Sequence, residues 1–163
     1  MDWKPELDAI VGARHGGAGD TILSRLQDLD RRHPNVAEIA YQVAWSKDVM
    51  GNHAEAVPCY EKAISLGLPP NDHAGALIGL SACLLLTGNA AKAEEVLASG
   101  RALFPENREF EAFQALALHA KGKHAEALEI LLVVLAETSV DRGIAAYQRT
   151  LRHVAARVLG AHN

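Results

Sequence analysis

The side chains best suited to metal binding or nucleophilic chemistry are eight histidines and two cysteines, and their spacing argues against both uses. His119 and His124 are five apart with Gly122 between them, the wrong separation for two ligands on one helical face. His53 and His124 each stand two residues after a glycine, where a packing role is expected. His15, His33, His73, His153 and His162 fall in expected loops or exposed faces, with no Cys or paired carboxylate at ligand spacing. Cys59 and Cys83 lack CxxC spacing and are expected to be reduced, buried and inert within packed helices. The stretch "GARHGGAGDT" (12–21) is superficially like a phosphate loop, but the P-loop lysine is missing and no strand precedes it. No serine stands in a G-x-S-x-G elbow. The expectation is therefore no catalytic residue, no metal, no cofactor and no enzymatic activity.

Composition narrows the class further. The chain has 163 residues, 49% hydrophobic and 22% charged, a globular balance that predicts a single domain over 1–163. Its net charge of -4 and the absence of a basic run give no electrostatic reason to bind nucleic acid or an anionic membrane. The opening "MDWKPELDAIV" has no apolar stretch of signal length, so a cytoplasmic location is expected. No charge occurs from Ala74 to Ala91. A membrane span needs about 20 predominantly apolar residues, and Gly, Ser, Thr and Asn dilute this run, which predicts a helix covered on several sides.

The elements that position these residues recur with a period. "GNHAEAVPCYE" at 51–61 returns as "GKHAEALEILL" at 122–132, and "GNAAKAEEVL" opens at Gly88 between them. Gly17, Gly51, Gly88 and Gly122 are separated by 34, 37 and 34 residues, a period that means stacked repeats. Helices are predicted before the last three glycines, over 37–50, 74–87 and 108–121, and after them over 53–66, 90–103 and 124–137. Asn52 and Glu55 have the spacing of a capping box. Pro69-Pro70 should end one helix, with Asn71 or Asp72 capping the next, and the three extra residues of the long interval fall in this loop. Pro58 falls inside a predicted helix, where its missing N–H should cost stability or bend the chain.

The packing positions keep the same register. Seven residues before the glycine stand Ala44, Ser81 and Ala115, and five after it Ala56, Ala93 and Ala127, all small enough for two helices to cross closely. Nine after it come Tyr60, Leu97 and Leu131, bulky plugs for the next interface; twelve after it come Ala63, Gly100 and Val134. Pro34 and Pro105 stand seventeen after Gly17 and Gly88, where they stop their helices.

These small residues, plugs and closing prolines resemble the signature of tetratricopeptide repeat proteins over roughly residues 3–138, most strongly over 37–107. The resemblance implies an all-α, right-handed solenoid of antiparallel helix pairs. It would comprise a degenerate leading pair (3–36), repeats at 37–73, 74–107 and 108–140, and a capping helix at 141–160. In the leading pair Ile10 and Ile22 take the small-residue places, and in the last repeat Glu111 and Gln114 replace apolar residues. The capping helix should bury a stripe of Ile144, Tyr147, Leu151, Val154 and Val158.

The resemblance also implies a function: a non-catalytic interaction module, scaffold or adaptor, that takes a protein or peptide in a groove lined by the first helices. The family pattern places Tyr41, Trp45, Asp48 and Val49, then Ile78, Ala82, Leu85 and Leu86, then Ala112, Leu116, His119 and Ala120 along that groove. Tyr41 and Trp45 would be its aromatic anchors. The Lys, Arg and Asn with which some family members clamp a terminal carboxylate are missing from these places. The alternatives are a self-associating, homodimeric structural module and, further off, an enzyme or metal protein on a repeat fold.

Overall fold

The computed structural model describes residues 2–160, and among them every regular element is helical. The chain forms two compact units, the first closing at Thr87 and the second opening at Gly88.

The first unit contains α1 (Lys4–Gly12), a single 3-10 turn (Ala13–His15), α2 (Gly19–Arg32), α3 (Ala37–Val49), α4 (His53–Leu66) and α5 (Pro70–Leu86). Leu7 and Ile10 of α1 meet Ile22, Leu26 and Leu29 of α2 and Ile39 and Val43 of α3 in one buried cluster, so the two isoleucines of the leading pair are core residues. The α3–α4 bend is set at Gly51, whose φ of 83° is a backbone conformation that an L side chain resists. On either side of it Ala44 and Ala56 are fully buried. The plug Tyr60 is only 1% exposed. It lies under α5, where a Cβ on Gly79 would stand 2.5 Å from the phenol oxygen.

Three local expectations change here. Asn52 precedes α4 but its side chain makes no capping bond; the Glu55 carboxylate is instead drawn to the Lys47 ammonium, 3.0 Å away. α5 begins at Pro70 rather than at 74, because proline's fixed φ suits the first helical position, so Asn71 and Asp72 lie in the first turn instead of capping it. Pro58 does not interrupt α4. Both Pro58 and Ala54, whose carbonyl the missing N–H would have met, are exposed, so water can serve that carbonyl.

The second unit contains α6 (Ala90–Leu103), α7 (Glu109–Ala120), α8 (His124–Thr138), α9 (Arg142–Ala146) and α10 (Gln148–Gly160). Asn89 caps α6 by accepting a hydrogen bond from the Lys92 amide. Ala93 and Leu97 are fully buried, and Gly100 lets the Phe110 ring pack directly on the α6 backbone. Ala115, Leu118 and Ala127 form the α7–α8 core. Glu111 and Gln114 are accommodated by two arginines. Arg101 donates to Gln114 and Glu111 at 2.6 and 3.3 Å, and Arg108 to Glu111 and Glu137 at 2.5 and 2.6 Å.

The predicted capping helix is broken at Tyr147 into α9 and α10. α10 packs on α8 through the buried Ala155, flanked by the half-buried Leu151 and Leu159. Tyr147, Val154 and Val158, which the expected stripe would bury, are exposed. The small Ala155 allows the closer approach to α8, and this rotates the larger apolar residues out of the contact.

Candidate interaction surface

The residues expected along a groove divide between the two units and differ in what they do. In the first unit Tyr41 is half-buried, with its ring centroid 6.2 Å from that of Tyr60 and its hydroxyl against Gly75 of α5. Ile78, Ala82 and Leu85 are also half-buried, whereas Val49 and Leu86 are exposed at 69% and 65%. Trp45 shows about a third of its surface to solvent. In the second unit Ala112 is half-buried, and Leu116, His119 and Ala120 are exposed.

Asp48 serves the interior of its unit. Its carboxylate accepts a hydrogen bond from the Tyr60 hydroxyl at 3.2 Å and lies 2.9 Å from His53 Nδ1. It also accepts from the Cys83 thiol of α5. Burial first, and then the Asp48 charge, push the Cys83 thiol up to about 12 and raise the Tyr60 phenol as well, so both groups stay protonated donors. Ligand atoms of Asp48, His53 and Cys83 lie within 4.8 Å of one another and could hold a metal ion. The sequence gives no ligand spacing for this set, since it is assembled from two helices and the start of a third. A hub receiving three hydrogen bonds is already satisfied without a cation. Cys59 is half-buried and its thiol donates to the Glu55 carbonyl at 3.4 Å; burial also raises its pKa. In the second unit the bend at Gly122 brings His119 and His124 together after all, with their Nδ1 atoms 2.9 Å apart on an exposed surface. His162 lies outside the described residues.

Beside Trp45 is a pocket whose central residue sequence reasoning missed. Arg14, from the 3-10 turn after α1, places its guanidinium carbon 3.7 Å from the centre of the Trp45 ring. Nη2 donates to Gln42 Oε1 at 2.9 Å and to Ser46 Oγ at 3.2 Å. Gly19, Ile22, Val49 and Met50 complete an open cavity of about 310 Å³, counting its solvent-facing space. Burial lowers the Arg14 pKa, and no carboxylate contributes to its electrostatics. Its partners are 28 and 32 residues away, so no local pattern marks it. The only hint is a lone arginine in the glycine-rich stretch already set aside as a phosphate loop.

Within each unit a helix pair (α3–α4 and α7–α8) with small buried residues on both helices and a positive-φ glycine at its bend has the form of a repeat protein. The tetratricopeptide repeat family, described as "Tetratrico peptide repeat", matches residues 37–158, and the chain belongs to it. Among solved structures it is similar to the MamA RS-1 ArsTM double mutant, with a TM-score of 0.70, 21% identity and 97% of each chain covered. It is similar to MamA from Desulfovibrio magneticus RS-1 (residue 41 to the end) at a TM-score of 0.70 and 18% identity, covering all of this chain and 98% of that one. At these identities the likeness shows the fold, an all-α tetratricopeptide-type solenoid. No curated protein matches the sequence. The family is generally one of non-catalytic protein-interaction modules. Among the described residues no helix is long and apolar enough to cross a membrane.

Proposed function

We propose that the chain is a non-catalytic scaffold or adaptor that binds a protein or peptide partner on the first helices of its pairs, with no metal or cofactor. The observation that carries this reading is the uncovered apolar surface at Trp45 and Val49 of α3, with Leu86 of α5 in the same unit. Leu116 and His119 on α7 are the corresponding surface of the second unit. Partly exposed tryptophan beside aliphatic side chains is the composition of an interface hot spot. Asp48 belongs to the interior network and is left out of the contact surface. The test is affinity capture from lysate with wild type and Trp45→Ala, the variant first shown to fold by circular dichroism. Specific partners should be lost from the variant; an unchanged set captured by folded Trp45→Ala would sink the reading.

A second reading, self-association, is favoured by the last helix pair. Tyr60 and Leu97 are 1% and 0% exposed, but Leu131, in the same register of α8, is 41% exposed. Leu128 and Leu135 lie on the same exposed face of α8. A second copy closing this face would give a dimer in light scattering that Leu131→Glu converts to monomer. Monomeric wild type at all concentrations would end this alternative.

A further inference from the structure

We infer that the cavity between Arg14 and Trp45 is a recognition pocket for a partner segment in which an acidic side chain follows or precedes a bulky apolar one. This rests on the interaction reading above and names the ligand chemistry of that surface.

The charge carries the inference. Arg14 is half-buried, yet both of its hydrogen-bond acceptors, Gln42 Oε1 and Ser46 Oγ, are neutral. It takes part in none of the ion pairs among the described residues, and no carboxylate is close enough to act on it. By contrast Arg32 grips Glu6, Arg101 holds Glu111, and Arg108 and Arg152 share Glu137. A guanidinium partly withdrawn from water without a counter-ion keeps part of its desolvation cost, and an anion entering the open cavity would offset it. The remaining N–H groups of Arg14 are free for it.

The arginine is also held in place. Its stacking on Trp45 and its bonds to two residues of α3 fix the plane of the fork before any ligand arrives, which lowers the entropic cost of binding. Ile22, Val49 and Met50 supply the wall for the neighbouring apolar side chain. Arg14 is the one charged residue of the lining. A single cation with part of its fork already engaged suits one side-chain carboxylate, while a chain terminus is held by several donors at once. The arginine comes from the turn after α1 rather than from the groove positions of α3, α5 and α7, so the pocket depends on the leading segment.

The test is selection of random dodecapeptides, displayed with both ends joined to carrier, on the full chain and in parallel on Arg14→Met. Wild type should enrich Asp or Glu beside Leu, Ile, Met or Phe, and Arg14→Met should keep the apolar preference and lose the acidic one. A selected peptide, acetylated and amidated, is then measured by fluorescence anisotropy. Changing its acidic residue to the amide should weaken binding to wild type about tenfold and leave binding to Arg14→Met unchanged. The wild-type arm of that comparison stands even if Arg14→Met does not fold.

Peptides that need Trp45 but show no acidic preference would overturn the pocket and leave the interaction reading intact. So would an equal preference in folded Arg14→Met, or tight binding only to peptides with a free terminal carboxylate. Failure to enrich any peptide would overturn both.

Discussion

Arg14 and Asp48 show how much a residue's role depends on what stands opposite it. Asp48 occupies a groove register position, but Tyr60, His53 and Cys83 turn its carboxylate into an internal acceptor. Arg14 occupies no register position and is left with neutral partners only. The Asp48 hub has a consequence at high pH. The Cys83 thiol is raised from 9.0 to about 12, because burial and Asp48 disfavour its thiolate. A group whose folded pKa is raised contributes stability that is complete below its unfolded value and is lost as pH climbs toward the folded one. Urea denaturation between pH 9 and about 12 should therefore show a shallower alkaline loss for Cys83→Ala than for wild type. Some loss should persist, because Tyr60 is raised too. Identical alkaline limbs would show that this thiol is not coupled to folding.

At the scale of elements, glycines in equivalent sequence positions do different work. Gly51, Gly88 and Gly122 have φ of 83°, 81° and 80°, and a Cβ on any of them would meet nothing. Gly122→Ala should thus cost about 1–2 kcal/mol through backbone conformation alone, seen as a lowered denaturation midpoint. Gly17, in the same 34-residue register, does not have a positive φ, and a Cβ there would press on the Ala13 carbonyl at 3.2 Å. The leading pair therefore shares the period without sharing the bend. Gly100 is needed for space: a methyl there would collide with the Phe110 ring. Gly100→Ala should cost roughly 1–3 kcal/mol by overpacking, and Phe110→Leu in the same chain should recover part of it. Pro58 offers the opposite sign. Because the helix runs through it, Pro58→Ala restores a bond from its N–H to Ala54 and should stabilise α4, by up to about 3 kcal/mol. A melting temperature no higher than wild type would mean that the bond to Ala54 adds nothing measurable at this exposed turn.

At the scale of the molecule, each unit has its own incompletely covered apolar surface. The first has Trp45, Val49 and Leu86, and the second has Leu128, Leu131 and Leu135 with Tyr147, Val154 and Val158. The plug positions make this difference measurable. Leu97→Ala removes a fully buried side chain and should cost about 2–5 kcal/mol. Leu131→Ala, with 41% of its surface already in water, should cost clearly less in monomeric protein. Equal losses in chemical denaturation would show that Leu131 is covered in solution.

The helices, their bends and the buried small residues were legible in the sequence because each follows from local chemistry repeated in register. Glycine relieves a left-handed bend, alanine permits a close crossing, and proline stops a helix wherever the pattern places it. All six small positions, from Ala44 to Ala127, are buried as the spacing predicts. The local pattern was incomplete where the packing of one helix against another set the contact. Glu55 left the capping position for Lys47, α10 turned Ala155 rather than Val154 toward α8, and His119 met His124 across a bend. The period thus pointed to stacked repeats, and the family resemblance carried by its packing positions implied the all-α fold class. Only the tertiary structure decided which polar groups neutralise one another and which, like Arg14, face a cavity without a counter-ion. Those outcomes depend on how helices meet in space, as for Arg14 with partners 28 and 32 residues away, and no local spacing encodes them.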